Sequence, residues 1–404
     1  MTAVAASRSQ TLGVLGGGQL GRMFVHAAQA HGFRVVVLEP DAASPAGAAA
    51  DVHLRAPYTD AAALHELQRL CRAVTTEFEN VPAAALHELA RTCVVAPAAS
   101  AVEICQHRGL EKAAFAAGGV PCAPHALVQS SADAHSQRMA ALQPGILKTS
   151  SLGYDGKGQV AVSGLANLPS VWASLGSVPC VLEQRLPLRH EISVIVARGA
   201  DGQVVNLPVQ QNLHREGVLS VTQVPAPDID AATAVRAVAL ACRMAEALQY
   251  VGVLCTEFFV LADGSLVANE MAPRPHNSGH YSIDACDVSQ FDLQLRALVG
   301  WPLATPRLHS AAVMLNLLGD LWFDAVPDTD TDTDTDTDTE TDASARAPDW
   351  AALLALPGVH LHLYGKAEPR RGRKMGHLTV TAPDAAAARA TALRAAALLG
   401  QAPF

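Results

Sequence analysis

The 404-residue sequence has few charges, no long apolar run and no pattern typical of a secretion signal. Each of these features limits the classes of protein to which the chain is expected to belong. Only 17% of its residues are charged and half are hydrophobic, which indicates a compactly folded protein. No run of about 18 apolar residues is free of breakers, so no membrane partner is expected. The first ten residues, "MTAVAASRSQ", are too polar for a signal peptide, and we predict a cytoplasmic location.

The cysteines lack the spacing of a metal or disulfide site. None of the eight forms a Cys-x-x-Cys pair, and most have apolar neighbours. We interpret them as small buried side chains in a reducing cytosol and expect no zinc site built from them. They are Cys71, Cys93, Cys105, Cys122, Cys180, Cys242, Cys255 and Cys286.

Basic charge is also scarce. The net charge is −9, and the repeat "DTDTDTDTDTDTETD" (328–342) carries eight acids and no base. The rest of the chain is therefore nearly neutral, so no basic field for a nucleic-acid partner is expected. The repeat cannot bury apolar surface, and we predict that it is disordered.

A chain of this length is expected to form two or three domains. Residues 1–113, the first predicted domain, open with a strand over 12–15, a helix over 20–30 and a strand over 33–38. This β-α-β order predicts a parallel sheet.

A glycine-rich turn, Gly16-x-Gly18-x-x-Gly21, joins the first strand to the helix, and Glu39 ends the second strand. The spacing and context match the dinucleotide-binding fingerprint, which taken alone favours a dehydrogenase. Two alternatives stay open. The glycines could simply permit a tight turn, or their backbone N–H groups could hold another phosphorylated ligand.

Apolar strand-like runs alternate with loops over residues 114–310, the second predicted domain. A helix is expected over 230–248, and strands over 253–261 and 266–270 form a hairpin around an Asp-Gly turn. Residues 311–404 are predicted to be a small β-rich domain that the repeat interrupts and an alanine-rich helix closes.

The segment "KTSSLGYDGKGQ" (148–159) combines three glycines with two lysines and an aspartate. It is not a Walker A loop, because residue 151 is not glycine and Gly158 stands where serine or threonine is needed. The segment could instead be a flexible loop that closes over ATP phosphates and places Lys148 near a phosphate, and this interpretation is not excluded. The alternative is that both lysines are solvated loop charges.

The predicted hairpin places Glu257 and Glu270 on adjacent strands among apolar residues. Two facing, partly buried carboxylates repel each other unless a cation lies between them. Mg²⁺ prefers oxygen ligands and commonly binds carboxylates together with nucleotide phosphates. The pair therefore favours a magnesium–nucleotide site, and the alternative is that each side chain points to solvent.

Two further segments suit anionic ligands. "APRPHNSGHYS" carries Arg274 and a polar loop, and its Asn-Ser-Gly between His276 and His280 argues against a zinc-binding helix. "RRGRK" (370–374) is a compact basic turn that fits either a phosphate clamp or a surface patch.

In their order, these motifs resemble the 5-(carboxyamino)imidazole ribonucleotide synthetases of purine biosynthesis, a family of ATP-grasp ligases. The similarity spans residues 11–390, and "APRPHNSGH" and "GRKMGHL" are specific to that family. The resemblance implies an α/β and α+β protein with a Rossmann-like pre-ATP-grasp domain, a two-lobed ATP-grasp domain and a small β-rich domain. The other motifs are "VLGGGQLGRM", "EFENVP", "KTSSLGYDGKGQ", "EQRLPLRHEISV", "NLHREGVL", "TEFFV" and "YGKAEPRRGRKMGHL".

The resemblance also implies a reaction. ATP, bicarbonate and 5-aminoimidazole ribonucleotide would give the N5-carboxylated ribonucleotide, ADP and phosphate, through carboxyphosphate. Bicarbonate is a poor electrophile, and its phosphorylation would create a mixed anhydride that the amine can attack. Mg²⁺, with Mn²⁺ as an alternative, and a homodimer are expected as well.

Residue roles follow from the positions that match the family. Arg274 is expected to bind bicarbonate and to act in catalysis with Lys148, Tyr154 and Asp155, while Glu257 and Glu270 bind the metal. The expected ATP contacts are Arg108, Lys148, Gly153, Tyr154, Asp155, Gly156, Lys157, Gly158, Gln159, Glu183, Gln184, Glu191, His214, Asn269 and Glu270. The expected ribonucleotide contacts are Gln19, Glu77, Asn80, His276, Asn277, Ser278, Lys366, Arg371 and Arg373.

The sequence departs from the family pattern at two site segments. Leu152 replaces a glycine that is common in the lid, and a longer clamp turn leaves Arg370 and Arg371 as alternative phosphate contacts. Three other functions stay open: another ATP-grasp carboxylase or ribonucleotide ligase, an NAD(P)-dependent oxidoreductase, and a catalytically inactive nucleotide-binding scaffold.

Deleting residues 328–342 is expected to leave turnover within about twofold of the full chain, because a long loop between strands adds little entropic cost. Steady-state rates of the two proteins would be compared, with circular dichroism as the control for folding. A large loss of activity in a folded deletion variant would show that the repeat contributes to function.

Overall fold

The computed structural model of the chain describes residues 10–151, 158–323 and 347–404. The predicted lid residues 152–157 and the Thr-Asp repeat lie outside the described residues. Three sheets, one parallel and two largely or wholly antiparallel, organise the described part. No helix in these ranges is long and apolar enough to cross a membrane.

The N-terminal part is a five-stranded parallel sheet in the order β3-β2-β1-β4-β5. The predicted parallel β-α-β unit is confirmed, and each element begins within one residue of its expected start. Helices cover both faces of the sheet, so its central strands β1 and β2 are buried and mostly apolar. The elements are β1 (Thr11–Leu15), α1 (Gln19–Ala30), β2 (Arg34–Leu38), α2 (Pro45–Ala49), β3 (Val52–Leu54), α3 (Ala61–Leu70), β4 (Ala73–Thr76), α4 (Ala83–Leu89), β5 (Val94–Val95) and α5 (Ala99–Gln106).

A four-stranded antiparallel sheet, in the order β6-β9-β7-β8, follows helix α6. Its buried face packs against short helices and contains Leu147 and Leu182. The opposite face borders the candidate site. The elements are α6 (Arg108–Ala117), β6 (His125–Val128), α7 (Ser131–Ala134), a 3₁₀ turn (Gln137–Leu142), β7 (Gly145–Thr149), β8 (Gln159–Val162), α8 (Leu168–Ser174) and β9 (Cys180–Gln184).

The largest sheet has nine strands within the described residues. Eight follow the order β15-β14-β10-β12-β13-β16-β18-β17, and β11 pairs with β10. Its first strands are β10 (Leu188–Arg198), β11 (Val204–Asn206), β12 (Gln210–Arg215), β13 (Val218–Val224), β14 (Gly252–Leu261) and β15 (Leu266–Ala272). The remaining strands are β16 (Ala311–Leu318), β17 (Val359–Leu363) and β18 (Lys374–Ala382).

The predicted helix and hairpin of the middle region are both confirmed. Helix α9 (Ala231–Ala247) begins after Asp230, whose carboxylate accepts the backbone N–H of Thr233 and so caps the first turn. Strands β14 and β15 form the hairpin, with Glu257 and Glu270 as register partners. Helices α10 (Ser282–Ala285) and α11 (Gln290–Val299) follow, and α11 packs against both β10 and α1.

The C-terminal strands continue the central sheet and do not form a sheet of their own. Strand β16 pairs with β13 on one side and with β18 on the other, which covers an edge that would otherwise expose unpaired backbone groups. The predicted alanine-rich closing helix is α13 (Ala385–Leu398), which packs small side chains on β16 and β18. Helix α12 (Trp350–Leu354) lies before β17.

The cysteines agree with their interpretation as packing residues. All eight are free thiols, and five of them are buried. The remaining three are half-buried: Cys105, Cys122 and Cys242.

Candidate active site

Two adjoining cavities in the described part of the chain collect the predicted site residues. The first has a volume of about 740 Å³ and the second about 650 Å³. The first lies between the N-terminal glycine turn, the loop after β15 and the basic turn before β18. The second lies between the four-stranded sheet and the central sheet. Residues common to both walls are Arg108, Glu270, His276, Asn277 and Lys374.

At the glycine turn of the first cavity, two carboxylates of the protein itself accept hydrogen bonds from the backbone N–H groups. Glu39 accepts the N–H of Gly17 at 2.8 Å, and Glu77 accepts those of Gly18 and Gly21 at 2.8 and 3.1 Å. A Cβ at Gly18 would lie 2.8 Å from both Glu77 oxygens, so glycine is needed for this close approach. The N–H groups of Gly17, Gly18 and Gly21 are therefore already bonded to carboxylates, which would repel a pyrophosphate. The dinucleotide interpretation of the turn is wrong, because spacing alone does not reveal which anion the turn holds.

Arg274, the predicted bicarbonate residue, lines the first cavity beside Glu79, an acid to which the family motifs assign no role. Its guanidinium contacts the Glu79 carboxylate through Nε and Nη2. Burial works to lower the pKa of Arg274, but the charge and hydrogen bond of Glu79, together with the charge of Glu77, outweigh burial and raise the pKa. The pairing fixes the plane of the guanidinium. Gln19 and Asn80 line the same cavity, as their substrate assignment requires.

The basic turn of the C-terminal part forms the opposite wall. Lys366 donates to the backbone oxygen of Lys374 at 2.7 Å, and Arg373 donates to that of Glu368 at 2.8 Å. Gly372, with a φ of +71°, lets the chain reverse between Arg371 and Arg373. Arg370 and Arg371 both line the cavity, so both stay candidates for a phosphate contact.

The polar loop after β15 separates the two cavities. His276 contacts Glu257 through Nε2 at 3.2 Å and the Ser278 hydroxyl through Nδ1 at 2.9 Å. Ser278 is buried, bonds to Ser193 and lines neither cavity, so it supports His276 where a substrate contact was expected. The amide of Asn277 has no hydrogen-bond partner among the residues that the structure describes, and it lines both cavities, which suits it to bind a ligand.

The spacing of His276 and His280 does not form a metal-binding helix. Residues Asn277–Gly279 make a 3₁₀ turn, in agreement with the poor helix propensity of Asn-Ser-Gly. His280 is buried, and its Nδ1 accepts from the Gln290 side chain at 3.1 Å.

A buried charge network lies behind the second cavity. Lys148 on β7 contacts one oxygen of Glu183 at 2.9 Å, and Lys112 on α6 contacts the other at 3.0 Å. Burial works to raise the pKa of Glu183, but the charges of Lys148 and Lys112 outweigh it and lower the pKa to about 2. Glu183 is therefore a carboxylate that pairs with two lysines, and it lines the second cavity together with Lys148 and Gln184.

The Glu257 and Glu270 pair lines the second cavity from adjacent strands. Burial, opposed by His214 and reinforced by Glu270, raises the pKa of Glu257 to about 7. Burial also works to raise the pKa of Glu270, but Arg108, whose Nη1 lies 3.1 Å from this carboxylate, outweighs burial together with Lys148 and Lys112, and the pKa is lowered. Two hard oxygen donors that repel each other across one hairpin fit a divalent cation such as Mg²⁺.

The second cavity is also lined by an ionic pair and by apolar side chains. His214 on β12 contacts Glu191 on β10. Burial lowers the pKa of His214, but Glu191 and Glu257 outweigh it and raise the pKa to about 8. The apolar lining is suited to a flat aromatic ring, and its members are Ala123, Ile146, Leu186, Leu188, Leu219 and Phe259.

The predicted lid is only partly within the described residues. Leu152, Gly153, Tyr154, Asp155, Gly156 and Lys157 lie outside them. Gly158, with a φ of +72°, directs the chain into β8, and its carbonyl accepts the N–H of Thr149 at 2.8 Å. Gln159 lines the second cavity, in agreement with its predicted place beside ATP.

Family models match three consecutive stretches of the chain. A ribonucleotide synthetase pre-ATP-grasp domain covers residues 9–106, and an ATP-grasp domain covers 113–291. A phosphoribosylaminoimidazole carboxylase C-terminal domain covers residues 312–391.

Curated proteins and solved structures that all carry the name of one enzyme resemble the chain over nearly its whole length. The N5-carboxyaminoimidazole ribonucleotide synthase of Brucella melitensis biotype 1 is 40% identical over 92% of this chain and 96% of its own length. That of Bacillus subtilis (strain 168) is 36% identical over 91% and 90%. An ADP complex of an N5-carboxyaminoimidazole ribonucleotide synthetase has a TM-score of 0.87 at 35% identity, covering 98% of each chain. The Aspergillus clavatus N5-carboxyaminoimidazole synthase, in complex with ADP and 5-aminoimidazole ribonucleotide, has a TM-score of 0.84 at 30% identity, covering 97% and 99%.

Proposed function

Because the chain belongs to the N5-carboxyaminoimidazole ribonucleotide synthase family, we propose that its two cavities divide one reaction between them. The protein carries out the ATP-dependent carboxylation of 5-aminoimidazole ribonucleotide in purine biosynthesis. In our proposal ATP and its metal ion occupy the second cavity, and the ribonucleotide and bicarbonate occupy the first.

ATP lies along the second cavity in this scheme. Its adenine ring contacts the apolar lining, where residues 184–188 leave the four-stranded sheet and enter the central one. Glu191 and His214 contact the ribose. Lys148 and Arg108 contact the phosphates, which is supported by their positions on the cavity wall.

Glu257 and Glu270 would hold Mg²⁺, with Mn²⁺ as an alternative. The support is chemical, since both are oxygen donors, face each other across one hairpin and line the cavity assigned to ATP. When bound, the metal ion would neutralise negative charge on the phosphates. Arg108 holds the Glu270 carboxylate in place at 3.1 Å.

Bicarbonate is proposed to bind Arg274, which lines the first cavity two residues before His276 of the shared wall. A bicarbonate oxygen attacks the γ-phosphorus of ATP, and the bond from that phosphorus to the ADP oxygen breaks, which leaves carboxyphosphate. The ribonucleotide amine then attacks the carboxyl carbon, phosphate departs with the C–O bond electrons, and the nitrogen loses a proton. Arg274, held by Glu79, keeps a fixed positive charge beside the anions throughout.

The ribonucleotide is proposed to span the first cavity. Its phosphate contacts Lys366, Arg373 and either Arg370 or Arg371, while Gln19, Asn80 and Asn277 contact the rest of the molecule. The carboxylates at the glycine turn support this orientation, because Glu39 and Glu77 repel a phosphate at that end. His276 contributes to the wall, with Ser278 behind it.

The shared wall of the two cavities carries this proposal. Arg108, Glu270, His276 and Asn277 belong to both, so a phosphorylated intermediate formed on one side lies next to the amine on the other. This short path limits the exposure of carboxyphosphate to water.

Phosphate release from ATP by the purified protein is expected to require 5-aminoimidazole ribonucleotide, bicarbonate and a divalent metal. Chelation with EDTA should abolish release, and added Mg²⁺ or Mn²⁺ should restore it. A coupled phosphate assay measures each omission. Release that is unchanged without the ribonucleotide, or inactivity toward ATP combined with NADH binding, would contradict the proposed function.

We further propose domain boundaries at 1–113, 114–310 and 311–404, a homodimeric assembly and a cytoplasmic location. The boundaries are supported by the family matches, which break between residues 106 and 113 and between 291 and 312. Strand β16 begins at Ala311, although it hydrogen-bonds to the preceding domain's sheet.

A further inference from the structure

Lys112 is a buried cation to which the reaction scheme gives no task. Its side chain on α6 has 0% exposed surface and lines neither cavity, so it contacts neither ATP nor the ribonucleotide. Its ammonium group lies 3.0 Å from Glu183 Oε1 and donates to the backbone oxygen of Asn269 at 2.8 Å. Burying a lysine this deeply destabilises the folded state unless its charge is paired and hydrogen-bonded, as it is here.

Both partners of Lys112 are shared with Lys148. The second oxygen of Glu183 accepts from Lys148 at 2.9 Å, and the side-chain oxygen of Asn269 lies 3.4 Å from the same ammonium group. Glu183 belongs to the four-stranded sheet, whereas Asn269 belongs to β15 and directly precedes Glu270. The four residues therefore join the strand that carries the phosphate-binding lysine to the strand that carries a metal-binding carboxylate.

The charges of this network do not cancel. Two ammonium groups surround one carboxylate, so one positive charge is left over, and Lys148 is the member that lines the ATP cavity beside Glu183. Without Lys112, the single charge of Glu183 would fully neutralise Lys148 and draw it away from the phosphates.

We infer that Lys112 is a positioning residue for ATP, which acts through Glu183 and Asn269 to hold Lys148 at a fixed place relative to Glu270. It also preserves the surplus positive charge of the Lys112–Glu183–Lys148 group. The inference rests on the proposed function in assigning Lys148 to the ATP phosphates.

The Lys112→Met variant tests the inference, because methionine is of similar length and removes only the charge and its hydrogen bonds. The KM for ATP should rise about tenfold or more, because a small displacement of a phosphate-binding group weakens its contact with ATP. The KM for the ribonucleotide should stay within about twofold, because the first cavity is not altered. An unchanged KM for ATP, or equal increases for both substrates, would overturn the inference.

The double variant Lys112→Met/Glu183→Gln gives the sharper comparison. Each single change alters the net charge of the network, whereas the double change restores the surplus of one positive charge. Its KM for ATP should therefore lie below that of Lys112→Met, within about threefold of wild type. If the increases in the KM for ATP caused by Lys112→Met and Glu183→Gln simply add in the double variant, Lys112 has a merely structural role and the inference is overturned. The double variant also keeps the test decisive if Lys112→Met does not fold.

Arg198→Met is a matched control. Arg198 is half-buried and donates to the backbone oxygen of Tyr250 at 2.9 Å, but it lines neither cavity. It should lower the thermal unfolding midpoint without changing the KM for ATP, and a raised KM would overturn the specific role of Lys112. Wild-type turnover, measured alongside, reports separately on the proposed function.

Discussion

Replacing Glu270 by glutamine is expected to lower turnover by at least about 10³-fold, because the variant loses a metal-binding charge at the site of phosphoryl transfer. Glutamine keeps the size of the side chain, so the hairpin of β14 and β15 should remain intact. The charge of Glu270 also holds Arg108 at 3.1 Å, and its loss would release that guanidinium from the cavity wall. Turnover would be measured by phosphate release at saturating ATP, bicarbonate and ribonucleotide.

Two controls make the Glu270→Gln result specific. Glu246→Gln changes an exposed glutamate on α9 and should behave as wild type. Raising the Mg²⁺ concentration should recover part of the activity of Glu270→Gln, because weaker binding is overcome by mass action. A variant that folds and turns over at a near-normal rate would remove Glu270 from the metal site.

Arg274→Lys is expected to lower kcat/KM for bicarbonate by about 10²-fold, although it conserves the positive charge. The guanidinium contacts Glu79 through two nitrogens, and a lysine offers no such fork to keep its charge oriented. The KM for ATP should stay within about twofold, because Arg274 does not line the ATP cavity. Initial rates at varied bicarbonate, in buffers freed of dissolved CO₂, provide the measurement.

Arg307→Lys is the matched control for Arg274→Lys. Arg307 forms an exposed pair with Asp287 at 3.3 Å, and exposed pairs contribute little. If Arg274→Lys instead raised the KM for the ribonucleotide alone, Arg274 would have to be reassigned to that substrate.

Local sequence patterns predicted the parts of this fold that are held together by neighbouring residues. The β-α-β opening, helix α9 and the hairpin of Glu257 and Glu270 all depend on periodicity, an N-cap and an Asp-Gly turn. Register across one hairpin is a short-range property, so the amino-acid sequence alone is enough to pair the two glutamates.

Contacts between distant segments could not be predicted in this way. Glu77 lies 59 residues from Gly18, and nothing in the glycine spacing indicates that its carboxylate reaches that turn. Lys112 occurs in a helix whose sequence, "RGLEKAAF", resembles a solvated surface, and the packing of α6 against distant elements, among them β15, buries it. Glu79 stands two residues after Glu77, and an acid in a loop is ordinarily solvated.

The continuous central sheet has a mechanical consequence. The Glu257–Glu270 hairpin lies at one end of its strand order and the β17–β18 turn at the other, yet both border the first cavity. The two ends of the strand order therefore contribute to the same cavity, which the proposed function assigns to the ribonucleotide. Hydrogen-bonded strands connect the basic turn to the Glu257–Glu270 hairpin, so the span between them is set by strand spacing and not by a linker. Under the proposed function, the sheet would fix the distance between the phosphate-binding turn and the metal-binding hairpin, and a ligand with a shorter reach between amine and phosphate is expected not to engage both at once.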